Sequence, residues 1–168
     1  MTYEEQMYIA IGEPTVRHVY LDEEIAYFYD KLGEVLGVSV APIENRFFND
    51  KLNLLKKLAE QDPNREFADR VLVWIHEADK ANKLRNAVVH GTFSILERDP
   101  IVGPTQYLQE WKRANIRKVA DIPEMKKLSV ALSMLVAKLS LLLNRNTDSE
   151  EWRQLNEQLP LDWLRESP

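Results

Sequence analysis

The sequence predicts an all-α fold, a bundle of four to five helices with a small irregular or β-hairpin insertion before the last long helix. Three observations predict it. Apolar residues recur at alternating spacings of three and four, glycine occurs only five times in 168 residues, and Leu, Ala, Lys and Glu are abundant. Each favours helices that turn one apolar stripe to a shared core. A chain of this length suits one domain able to bury roughly 70% of its unfolded surface. The expectation is a single domain over residues 1–168, with a core from about 15 to 145 and a C-terminal tail, 146–168, packed on it.

The first strong helix is "LDEEIAYFYDKLGEVLG". Leu21, Ile25, Phe28, Leu32 and Val35 follow one another at helical spacing, and Gly37 supplies a left-handed stop. The residues before it, back to Pro14, are compatible with helix too. After the extended "VSVAP", a second helix is expected over roughly 44–60, with Phe48, Leu52, Leu55 and Ala59 on one face and "QDPN" as its end. A third starts near Asn64. A fourth follows Pro123, a residue suited to a first helical position, and runs to about Leu143 with Met125, Leu128, Leu132, Leu135, Leu139 and Leu142 as a central stripe.

Between the third and fourth helices, "TFSIL" alternates like a short strand and "RDPIVGP" reads as a turn, so a small hairpin is expected within Thr92–Asp121. "TQYLQEWKRANIRKV" is compatible with strand or helix. The tail opens with an Asn/Thr/Asp/Ser cluster and carries Trp152, Leu155, Leu159, Trp163 and Leu164, the makings of a short helix folded back on the core.

Composition excludes several functions. With no cysteine there is no disulfide, thiolate metal site or cysteine nucleophile. No apolar run approaches the ~18 residues of a membrane span, and the first residues are acidic where a signal peptide is basic, so a cytoplasmic protein with no membrane partner is expected. With three histidines only, His18, His76 and His90, the chain offers little for a histidine-rich metal site, and no metal or cofactor is expected. There is also no glycine-rich phosphate loop, His-Glu-x-x-His helix or nucleophile elbow. Charge is segregated: residues 1–44 hold two basic against nine acidic side chains, whereas 80–145 hold twelve basic against five acidic. A basic middle in an acidic chain suits a polyanionic partner, and it equally suits solvated helix faces of alternating sign.

Within that basic segment lies "NKLRNAVVHG". On a helical wheel with Phe67 at zero, Val71, Trp74, Ile75, Ala78 and Ala81 fall within about 80° and define an apolar stripe. His76 falls at about 180°, facing solvent, whereas Arg85 returns to about 0°, with Asn86 at about 100° and His90 at about 140°. A guanidinium on an apolar face must be paired or border a polar cavity, because an unpaired buried charge costs several kcal/mol. Three arrangements answer this. The helix breaks near "DKANK", Arg85 pairs with an acid of another helix, or the face borders a dimer interface enclosing a site. A purely structural reading also stands, since a histidine in the last turn complements the helix dipole and Gly91 is a natural stop.

An arginine, a polar residue directly after it, and a histidine beyond four intervening positions resemble the motif of the HEPN superfamily (higher eukaryotes and prokaryotes nucleotide-binding). "LRNAVVHG" is similar to its commonest bacterial form, and the likeness extends loosely over residues 21–143. The resemblance implies a helical bundle with the motif near the end of its third main helix. It also implies metal-independent endoribonuclease activity, often in toxins or phage-defence effectors, and a homodimer in which two motifs line one cleft. An antitoxin protein is an implied partner of the toxin form. Other members bind RNA, nucleotide or a partner protein without cutting, and the acidic total charge of this chain departs from the toxin pattern. In the enzymatic reading Arg85 grips the phosphate through two parallel donors, His90 serves as base or acid near neutral pH, and Asn86 orients His90 or the phosphate. Lys83, Trp111, Lys112, Arg113, Arg117 and Lys118 are the expected RNA-approach residues, with Trp111 as a stacking platform. Trp111 in the core and cations merely solvating a helix is the competing reading.

Overall fold

Helix α1 (Tyr3–Leu36) runs for 34 residues and forms the spine of the molecule. It appears in a computed structural model that describes residues 3–90, 92–99, 103–109, 116–119 and 122–158. The spacing places its start at Leu21, with helix compatible back to Pro14, yet it continues unbroken through Pro14 to Tyr3. Proline removes one backbone hydrogen bond and crowds the preceding turn. Packing outweighs that penalty, because Met7, Ala10, His18, Leu21 and Ile25 line one buried face on both sides of Pro14. At the other end Gly37 has a φ of 67°, and Val38 N–H donates to the Gly33 carbonyl at 2.9 Å, which closes the helix as expected. Gly33 also admits Val40: a Cβ built there would lie 2.9 Å from both Val40 methyl groups. Val35, expected on the apolar face, is 64% exposed. It sits in the final turn, at the edge of the buried stripe.

Helix α2 (Phe48–Ala59) begins later than the expected residue 44, and its stripe of Phe48, Leu52, Leu55 and Ala59 is buried. Helix α3 (Arg65–His90) starts where Asn64 accepts the Phe67 N–H at 3.1 Å, a side-chain cap. Helix α4 (Ile122–Leu143) buries all six of its predicted stripe residues. Trp74 of α3 is fully buried and its indole N–H donates to the Leu135 carbonyl at 2.9 Å, tying α3 to α4. The broadest helix contact is between α1 and α4, and α2 and α3 complete the bundle. Helix α5 (Glu150–Gln158) is capped by Ser149 and buries Trp152 against α4. Leu159, Trp163 and Leu164 lie outside the described residues.

The insertion between α3 and α4 carries three strands, β1 (Thr92–Asp99), β2 (Gly103–Gln109) and β3 (Ile116–Val119), paired antiparallel in chain order. The expected hairpin is its first half, with Thr92 opposite Gln109 and Asp99 opposite Gly103. "TQYLQEWKRANIRKV", open between strand and helix, contributes strand at both ends: Tyr107 pairs with Val119 and Gln109 with Ile116. The all-α bundle with a small insertion therefore describes the chain.

Buried charges are paired. Lys51 reaches Asp22 at 2.8 Å, and the fully buried Lys138 meets Glu77 while lying 5.2 Å from the centre of the Trp152 ring. Arg145 takes a left-handed φ of 51° after α4, where glycine is usual, and its guanidinium holds the buried Asp62 at 2.6 Å above the Phe67 ring.

Candidate functional site

In the second half of α3 one polar side chain reaches both α1 and α2. Asn82, buried, sits at the centre. Its Oδ1 lies 2.9 Å from Nε2 of His18 on α1, and its Nδ2 donates to Oδ1 of Asn49 on α2 at 3.0 Å. With the amide oxygen facing the imidazole, Nε2 of His18 is the donor, and Nδ1 of the neutral ring is the acceptor. The His18 ring also packs on Phe48, with centroids 4.5 Å apart. Three helices are thereby joined by one directional chain of hydrogen bonds.

Arg85 lies one turn beyond Asn82. Helix α3 is continuous through "DKANK", so a helix break does not relieve the anomaly. Pairing with an acid does not relieve it either, since among the described residues Arg85 makes no ion pair. It is half-buried, its Nη1 donates to Asn86 Oδ1 at 2.9 Å, and its Nε is buried with no hydrogen-bond partner among the described residues. Burial lowers the Arg85 pKa from its ordinary value. His18 is likewise lowered, first by burial and then by the Arg85 charge; the Asn82 hydrogen bond and Asp22 work in the opposite sense, and Lys51 adds to the lowering. The site is a partly desolvated cation with no counter-ion among the described residues, near a histidine whose charged form burial disfavours.

Of the sequence-predicted residues, Arg85 and Asn86 are in direct contact, whereas His90 is exposed on the last turn of α3, one turn beyond Asn86, with no hydrogen-bond partner among the described residues. Lys83 is exposed and paired with Asp79 at 2.7 Å. Arg117 and Lys118 lie on β3, and Trp111, Lys112 and Arg113 fall outside the described residues. His76 is exposed, as its place on the wheel required. Sequence reasoning missed His18, Asn49 and Asn82. A wheel carried back along α1 would have placed His18 on the same face as Leu21 and Ile25, the signal of a histidine held in a core. Among the described residues no three His, Asp or Glu side chains are grouped to hold a metal ion, and no helix is long and apolar enough to cross a membrane.

In comparison with known proteins, no family model, no curated protein and no solved structure matches the chain.

Proposed function

We propose that the chain is a HEPN-like, metal-independent endoribonuclease, of the toxin or phage-defence kind, acting in the cytoplasm as a two-fold dimer with paired motif helices. The observation that carries this reading is Arg85, a half-buried guanidinium with no carboxylate to neutralise it among the described residues. The part-exposed end of such a group lacks a charge partner among the described residues, and its planar donors fit a phosphodiester from outside the protomer. In the reaction one copy of His90 removes the proton of the RNA 2′-hydroxyl. The oxygen attacks the adjacent phosphorus, and the second copy of His90 protonates the departing 5′-oxygen. Arg85 stays charged and holds the crowded phosphorane oxygens, while Asn86 fixes the Arg85 fork through their hydrogen bond. The products are a 2′,3′-cyclic phosphate and a free 5′-hydroxyl.

Purified protein incubated with RNA in excess chelator should cut it and leave the cyclic phosphate. Arg85→Ala and His90→Ala should each lower the rate by on the order of a hundredfold or more, with the helical circular dichroism unchanged. Equal cutting by wild type and both variants, or activity restored by magnesium, overturns the reading.

One observation favours a second reading, a non-catalytic module that binds RNA, nucleotide or a partner protein: His90 stands exposed with no group among the described residues to orient it. In that case RNA is retained but not cut.

A further inference from the structure

A groove of about 380 Å³ between α2 and α3 is not used by the chemistry above. Its walls are Asn49, Asn53 and Lys56 from α2 and His76 and Asp79 from α3. Its floor is aliphatic, made by Leu52, Leu72 and Ile75. The three α2 residues are spaced at four and three, so they share one face of that helix. On α3, with Phe67 at zero, Asp79 falls at about 120° and His76 at about 180°, bracketing the His90 direction of about 140°. The groove thus opens on the same side of α3 as His90, which lies about 16 Å further along the axis from Asp79.

The polar rim is open to a ligand. Asn49 uses Oδ1 to accept from Asn82, and this bond, backed by His18, fixes the amide so that its NH₂ is left without a partner among the described residues. Asn53, Lys56 and His76 make no hydrogen bond or ion pair there either, while Asp79 is held by Lys83. An aliphatic ligand would leave these groups idle, and a bare anion would leave the floor idle. A flat heteroaromatic ring with a polar edge and an attached phosphate uses both: the ring covers the floor, the two carboxamides meet donors and acceptors on the base edge, and Lys56 and His76 take the phosphate.

We propose that the α2–α3 groove is a base-binding subsite that holds one nucleotide of a single-stranded RNA at a distance from the scissile phosphate. The choice of RNA rests on the ribonuclease reading. The groove itself does not contain Arg85 or His90, so the two ideas can fail separately.

The test is calorimetric titration with the four ribonucleoside 5′-monophosphates and with inorganic phosphate, on wild type and on Asn53→Leu and Lys56→Ala. Both positions are exposed on α2, and circular dichroism verifies that the variants fold. At least one nucleotide should bind about tenfold more tightly than phosphate, and each variant should weaken it by roughly fivefold or more. In RNA cleavage the same variants should raise KM by a similar factor with kcat held within about twofold. Nucleotides that bind no better than phosphate, or binding untouched by both variants, overturn the subsite. If wild type cuts RNA with a KM that neither variant changes, the subsite falls and the ribonuclease reading stands. If nothing cuts but nucleotide binding is lost in the variants, the ribonuclease reading falls and the subsite stands.

Discussion

His18 and Asn82 are 64 positions apart in the chain and 2.9 Å apart in the fold. Through this one bond α1 fixes the amide of α3, and the amide in turn fixes Asn49 of α2. Asn82→Ala removes both bonds and leaves the buried His18 Nε2 without its partner. It should cost about 1–3 kcal/mol, read as a lower urea midpoint with an unchanged m-value.

The same histidine sets a pH dependence. Its folded pKa lies below the ordinary 6.5, with burial the largest cause and the Arg85 charge next. The unfolded chain therefore takes up the proton first as the pH falls. The stabilisation is fully present above about pH 6.5 and is lost as the pH falls from there towards the folded pKa. Between pH 7.5 and pH 5.5, wild type should lose more stability than His18→Gln, and Arg85→Met should raise the His18 pKa followed by NMR. Parallel losses in wild type and His18→Gln would exclude His18 as the source.

Arg85 itself should be a stability liability. Replacing a half-buried guanidinium that has no ion pair among the described residues by an apolar chain of similar length removes a desolvation cost, so Arg85→Met should leave stability unchanged or raise it by about 1 kcal/mol while abolishing RNA cleavage. Thermal unfolding beside the cleavage assay reads both. A large loss of stability would mean that Arg85 is a structural residue.

Lys138 and Glu77 give the opposite expectation. Lys138 is fully buried, and Glu77→Ala strands its charge beneath Trp152, at a cost of about 3–5 kcal/mol. Replacing both together, Glu77→Leu with Lys138→Met, should recover most of that loss in denaturant titration.

The dimer is tested by light scattering at micromolar concentration, where a species of about twice the 19.6 kDa chain mass is expected. A strict monomer that still cuts RNA would remove the shared cleft, because one His90 would then have to be both base and acid.

If β3 approaches the RNA backbone, affinity should fall steeply with salt, and Arg117→Ala with Lys118→Ala should flatten the logarithmic slope by about 1.4. An unchanged slope would exclude this strand from the interface.

What the sequence determined by itself was whatever depends on local periodicity. The stripes of α2 and α4, the Asn64 start of α3 and the Gly37 stop of α1 follow from spacing and from the conformational preferences of single residues, and each is found in the fold. So was the oddity of Arg85, because a charge returning to an apolar stripe is visible on a wheel. What only the tertiary structure decided depends on contacts between distant segments. A continuous α1 through Pro14 requires the packing of its neighbours, for no local signal offsets a lost hydrogen bond. The His18–Asn82–Asn49 chain joins three helices whose relative rotation no single wheel contains. Likewise, the absence of an acid beside Arg85 among the described residues follows from which side chains meet in space, and a sequence pattern records only which ones share a face.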